Sequence, residues 1–365
     1  MKHKNRSDGM FNRRQALALG GSGLLWISRS GNSRAAGAAY TVTEMTSAHA
    51  GSWSAVASAI NRKGVIAGYL KHGKQSIAVR SERDELIELP ADDGIALALG
   101  LADGGDVVGS VDDRAAIWSD GRLRLLAQPD EPQTTATALH SGLVVGQTQS
   151  STTSASALVW SGDDVRVLPS LGGPMSRAAG VNPDGIIVGR STEDDDGNNV
   201  RAVVWRDGKI TSLGTLGGNG SDATAINASG AITGCARQDE SFGAIDIAMI
   251  SVNGTMTALT RLGPVKLHGR KEPVNLERSV GLAINDRGTI CGISTSVSEN
   301  NPLSVATLWR DDAALDLNAL IGKIARDVLL VSADGINTNG ELVCTGYRYE
   351  KNDPGRTRIY RLTPR

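Results

Sequence analysis

Two short phrases alternate along this chain, seven copies of each, and no other feature limits its possible folds so tightly. The first is a strand, a tight turn and a second strand. It reads SAINRKGVIAG ending at Gly68, LGLADGGDVVG at Gly109, ATALHSGLVVG at Gly146 and AAGVNPDGIIVG at Gly189. It returns as ATAINASGAITG at Gly234, GLAINDRGTICG at Gly292 and DGINTNGELVC, where Cys344 replaces the last glycine. The second phrase is a strand, a polar turn and a strand, as in AAIWSDGRLRLL, ALVWSGDDVRVL and AVVWRDGKITSL, with looser versions in AMISVNGTMTAL and ATLWRDDAALDL.

The marker positions are 41, 37, 43, 45, 58 and 52 residues apart. Four short strands fit such a period, which is that of one propeller blade. Turns of the Asn-x-x-Gly and Asp-Gly kind between Val, Ile, Ala and Thr supply the positive φ angles of hairpins, and no helical period of 3.6 competes. The expected fold is an all-β propeller of seven four-stranded blades, formed by residues 39–365 as one domain.

The ends of the repeat array predict how the ring closes. The last copy, TRIYRL, lacks a fourth strand, while YTVTEM at Tyr40 to Met45 stands unpaired before the first full copy. The N-terminal strand therefore completes the last blade and removes both sheet edges. A β-helix or an open array needs no such matching deficit and surplus.

Two repeated columns are read as structural. Trp118, Trp160, Trp205 and Trp309 share one register, with Arg80 and Tyr360 aligned to it in the first and last copies. In a chain only 4% aromatic, a ring at one position per blade fills the gap between twisted sheets. Asn61, Asn182, Asn227, Asn285 and Asn337 hold a turn position, where Asn tolerates left-handed backbone and bonds to its own chain. Cys235, Cys291 and Cys344 are too few and too far apart for a disulfide framework or a zinc site, and read as small buried apolar residues.

Residues 1–38 differ in kind. Lys2, Lys4, Arg6, Arg13 and Arg14 precede an apolar run from Ala16 to Ile27, too short to cross a hydrocarbon core of roughly 30 Å. The run Asn12-Arg13-Arg14-Gln15-Ala16-Leu17 resembles a twin-arginine export signal, and Ala36-Gly37-Ala38 offers a cleavage site. These residues predict a periplasmic or extracellular protein without a stable membrane span. Removing them leaves 31 basic against 38 acidic residues, about minus seven, which does not favour nucleic acid.

Residues 205–234, WRDGKITSLGTLGGNGSDATAINASGAITG, resemble the repeat of the bacterial HAF-family extracellular repeat proteins. Leu213-Gly214-Thr215-Leu216-Gly217-Gly218 and Ala225-Ile226-Asn227 carry most of the likeness, and weaker copies extend it over residues 40–362. The family's His-Ala-Phe phrase is reduced to Arg201-Ala202-Val203 or Ser156-Ala157-Leu158. The resemblance implies an exported repeat protein and supplies no catalytic residues.

Motifs for chemistry are sparse. The histidines at 3, 49, 72, 140 and 268 occupy no common position, and no nucleophile elbow or phosphate loop occurs, so no catalytic residue, metal ligand or cofactor is predicted. Glu193 to Asn199 is rich in carboxylates, but Val203 stands where a calcium loop needs an acid. The largest departure from the repeat is the insertion from Gly263 to Arg278, whose Lys266, His268, Arg270 and Lys271 form a basic loop suited to an anionic glycan. The leading expectation is an exported binding or scaffold protein for a glycan or protein partner. Its rival is a polysaccharide lyase or glycosidase, which needs ionisable side chains from several blades meeting at one end of the channel.

Overall fold

A computed structural model describes residues 39–365 apart from residues 50, 92–93, 130–132, 149–153, 196, 241–244, 266–271, 298–302, 323–326 and 350–354. It shows a seven-bladed β-propeller. The chain opens with β1 (Tyr40–Glu44) and β2 (Thr46–Ser47), then enters blade 1: β3 (Ser54–Ile60), β4 (Ile66–His72), β5 (Gln75–Glu82) and β6 (Glu85–Glu88). Blade 2 is β7 (Ala96–Leu101), β8 (Val107–Val111), β9 (Arg114–Ser119) and β10 (Arg122–Leu125); blade 3 is β11 (Thr134–His140), β12 (Leu143–Thr148), β13 (Ala157–Ser161) and β14 (Asp164–Val167). Blade 4 comprises β15 (Ser176–Val181), β16 (Ile187–Thr192), β17 (Val200–Arg206) and β18 (Lys209–Ser212). Blade 5 comprises β19 (Ser221–Ile226), β20 (Ile232–Arg237), β21 (Asp246–Val252) and β22 (Thr255–Ala258). Blade 6 follows as β23 (Arg278–Ile284), β24 (Ile290–Thr295), β25 (Ser304–Arg310) and β26 (Ala313–Asp316), and a one-turn helix α1 (Leu317–Leu320) leads to blade 7. No helix among the described residues is long and apolar enough to cross a membrane.

Blade 7 has the predicted composite form. Its sheet runs β27 (Val328–Ile336), β28 (Leu342–Arg348), β29 (Thr357–Pro364) and then β1, with Tyr40 opposite Pro364 and Glu44 opposite Tyr360. Side chains reinforce the join: the Glu44 carboxylate lies 2.8 Å from Arg348 Nε and 2.7 Å from Arg358 Nη1. One element goes beyond the expected strands, because β2 pairs in parallel with β6 and covers the outer edge of blade 1.

Each blade packs on the next through its second and third strands. Separate apolar clusters lie between neighbours; one joins Ala67 and Ala78 to Trp118, and another joins Val343 and Ile359 of blade 7 to Ile60 and Ile66 of blade 1. Directional bonds supplement this contact. Trp118, Trp160, Trp205 and Trp309 each donate Nε1 to a carbonyl just after the previous blade's outer strand, at Pro90, Ala127, Pro169 and Thr260, over 2.7 to 2.8 Å. The tryptophan column thus fills the gap between sheets, as expected, and also satisfies its one polar atom.

The strand register corrects two members of that column. Trp205 pairs with Ile187, two residues before the marker glycine, and the same position in blade 1 is Ser81, opposite Ile66, not Arg80. Ser81 Oγ there accepts from Ile66 N at 2.9 Å. In blade 7 the position is Leu362, opposite Leu342, while the fully buried Tyr360 lies two residues earlier against Cys344. With no Trp to anchor the comparison, polarity was a poor guide to register.

The asparagine column does more than turn the chain. Asn285 Oδ1 accepts from the amides of Arg287 and Thr289, and its Nδ2 donates to Asn337 O in the next blade at 3.0 Å. Asn61, Asn182, Asn227 and Asn337 likewise reach the equivalent carbonyls of their neighbours, at 3.0 to 3.5 Å, so the belt crosses from blade 7 back to blade 1. It lapses where Ala102 and His140 hold the position. Asn285→Ala removes three bonds and leaves two half-buried amides without their acceptor; it is expected to cost about 2–3 kcal/mol in denaturant unfolding, with Asn285→Asp between it and the parent chain.

Candidate functional site

The seven inner strands surround a central channel. Along them alternate residues face either the next sheet or the axis, as a period of two requires, so Leu97, Leu99 and Leu101 of β7 are only half-buried while Ala96 and Ala98 are closed off. The channel holds a cavity of about 600 Å³ lined from every blade. Ile60, Leu99, Leu101, Val181, Ile226 and Leu282 give it a largely apolar wall, interspersed with alanines and glycines.

Its polarity is concentrated on blades 4 and 5. Arg177 is the second residue of β15, Arg190 lies opposite it on β16, and Asp222 is the second residue of β19. Arg190 Nη1 bonds Asp222 Oδ2 at 3.0 Å, with the two side chains only 11% and 14% exposed. Burial pushes the Asp222 carboxyl above its ordinary range, and Arg190 followed by Arg177 opposes the shift. Next to this group Arg237 Nε sits 3.2 Å from Asp246 Oδ1, and Asp246 and Arg278 line one small void. Four guanidiniums thus stand with two carboxylates toward the end of the ring where the inner strands begin. The asparagine belt follows their far ends, on the opposite face of the ring.

The other carboxylate lining the channel belongs to blade 7. Asp334 accepts from Thr345 N at 3.0 Å, Thr345 Oγ1 at 2.9 Å and Ser332 Oγ at 2.8 Å, and Thr345 Oγ1 in turn accepts from Ala57 N of blade 1. Its role is to tie the closing blade to the first. Cys235, beside Asp222, is fully buried, and burial with the charges of Asp246 and Asp222 pushes its thiol well up, which keeps it protonated. All three cysteines are buried and none forms a disulfide. Neither histidine nor tyrosine is among the described residues lining the channel.

The residues singled out from the sequence fall elsewhere. Lys266, His268, Arg270 and Lys271 lie outside the described residues, as do Arg13 and Arg14. The flanks of the basic segment are described: Val265 and Val274 pair through both backbone bonds, at 2.8 and 3.0 Å, within the crossing from β22 to β23. The acidic stretch after β16 turns on Asp194, whose carbonyl accepts from Gly197 N. Arg177, Arg190 and Asp222 were missed. A signal existed for Arg190: the residues after the marker positions are Tyr69, Ser110, Gln147, Arg190, Cys235, Ile293 and Thr345, and only one is charged.

No family model matches this chain, and no curated protein does. Solved structures do. A puromycin-hydrolysing peptidase of Mycobacterium tuberculosis is 13% identical with a TM-score of 0.53, over 83% of this chain and 52% of that one. TolB of Acinetobacter baumannii is 15% identical with a TM-score of 0.47, over 69% of this chain and 62% of that one; a putative TolB of Agrobacterium tumefaciens is 11% identical with a TM-score of 0.45, over 64% and 83%. This chain thus spans about half the length of the peptidase. At such identities shared architecture says nothing of shared chemistry. The chain is a seven-bladed β-propeller with a largely apolar central channel, and its likeness to the peptidase is one of fold.

Proposed function

We propose that this protein is an exported, HAF-like binding propeller that takes a ligand into its central channel from the face carrying the arginines. The observation that carries the reading is a cavity of about 600 Å³ walled by all seven blades and mainly apolar, a size and character suited to a small ligand. Both carboxylates on its wall serve protein partners, Arg190 for Asp222 and the Thr345 and Ser332 groups for Asp334, which favours binding over acid–base cleavage.

The test is a fluorescence titration with the neutral apolar probe N-phenyl-1-naphthylamine. One saturable site is expected, and Ala179→Trp, which places a large ring in the channel, is expected to weaken binding at least about tenfold with little change in thermal unfolding. Equal binding by both proteins, or none by the parent, sinks the channel reading.

The basic segment adds a second point of contact. Lys266, His268, Arg270 and Lys271 stand in the sequence between Val265 and Val274, and we propose that they attract an acidic glycan. On a glycan array, residues 39–365 are expected to bind acidic sugars in a salt-sensitive way, lost when residues 266–271 are shortened to a tight turn. Binding indifferent to salt and to the shortening would remove this contact from the account.

A further inference from the structure

Resting on that reading of the channel, we infer that its ligand is an uncharged molecule with an apolar body and one amide-like group, held by the Gln147 carboxamide and the Thr135 hydroxyl. Thr135 is the second residue of β11 and stands opposite Gln147 on β12, the places that Arg177 and Arg190 hold in the neighbouring blade 4. Both side chains are half-buried on the cavity wall, and neither makes a hydrogen bond or ion pair among the described residues. A carboxamide offers an acceptor beside two donors, and a hydroxyl serves as either. Together they match a group that presents a carbonyl and an N–H side by side.

The charges on the same wall already balance. Arg177 and Arg190 are offset by Asp222 and Asp334, two against two. Arg190 bonds Asp222, Arg177 acts on the same carboxylate, and Asp334 takes three hydrogen bonds from Ser332 and Thr345. One more charge of either sign, brought into this enclosed space, would stand without a counterion, which is costly. A sugar fails for a different reason, because its many hydroxyls need many partners. Thr137 Oγ1 donates to Ala178 O at 2.8 Å and Thr224 Oγ1 donates to Gly281 O, so both hydroxyls serve to join neighbouring inner strands. Ile60, Leu99, Leu101, Val181, Ile226 and Leu282 offer area for an apolar body, and Thr135 with Gln147 supplies the one neutral anchor that such a body needs.

The experiment displaces bound N-phenyl-1-naphthylamine from residues 39–365 with octanamide, octanoate and octyltrimethylammonium, which share an alkyl chain and differ in head group. Octanamide is expected to displace the probe at a concentration about tenfold below that of either ion. Gln147→Leu, which keeps the size and removes the amide, is expected to weaken octanamide about tenfold while probe affinity and the melting curve stay close to those of the parent. Thr135→Val, which removes the hydroxyl alone, is expected to weaken it about threefold. An ion that displaces the probe as well as octanamide does, or octanamide binding unchanged by Gln147→Leu, overturns the assignment of the head group while leaving the channel as the site. A probe that fails to bind the parent chain overturns both.

Discussion

Removing Tyr40 to Met45 is expected to abolish cooperative folding or to lower the melting temperature by on the order of 10 °C or more, because the loss touches the only place where the ring joins its two ends. Tyr40 and Met45 are 5% exposed, and burying two such side chains contributes about 3–6 kcal/mol. The strand also carries Glu44, whose loss leaves Arg348 and Arg358 facing each other without their shared carboxylate, and uncovers the whole edge of β29. With the ladder bonds added, the sum rivals the total stability of about 5–15 kcal/mol typical of a domain. Calorimetry decides the matter; an unchanged transition would mean that the composite blade does not hold the ring.

Gly234→Ala is expected to cost about 4 kcal/mol or more, although it adds a single methyl group. A Cβ at Gly234 would lie 1.9 Å from Asp222 O, far inside contact distance with rigid backbone. The cause is general to the repeat. The inner strand of each blade bulges by one residue beside the marker position, as between Ala223 and Ala225, and pushes a carbonyl against the second strand. Gly109, Gly146, Gly189 and Gly292 meet the same obstacle at 1.7 to 2.0 Å. Blade 7 has an added bulge between Leu330 and Ser332; Cys344 then fits, and the close approach moves to Gly346, 2.5 Å from Leu329 O. Gly104→Ala supplies the contrast, since nothing lies within 4 Å of its added carbon; it is expected to change unfolding by less than about 0.5 kcal/mol.

Much of this architecture was legible because it recurs. A period near 40 residues, four strands per period, and a surplus strand at one end matched by a missing one at the other led to seven blades and to the partner of β1. What recurred could be located; its reason often could not. The marker glycines were visible as a column, but the carbonyl that demands them comes from a bulge, which has no fixed sequence sign. The asparagines were read as turn residues from their local chemistry, while the bond from each Nδ2 to the next blade depends on how the blades nest.

The channel residues were harder still to anticipate. Arg177, Arg190 and Asp222 stand at repeat positions that other blades fill with Thr135, Gln147 or Val280, so they break a pattern and belong to none. The basic segment at 266–271 drew notice because basic residues cluster there in sequence. Arg177, Arg190 and Asp222 gather only in space, successive members being 13 and 32 residues apart in the chain.

Hydrogen–deuterium exchange of residues 39–365 with and without N-phenyl-1-naphthylamine tests most directly whether the channel is where this protein binds. Slower exchange confined to β11, β15 and β19, near Arg177 and Asp222, is the expected result. Protection confined to outer strands such as β14 and β18, or no protection at a saturating concentration of the probe, would contradict it.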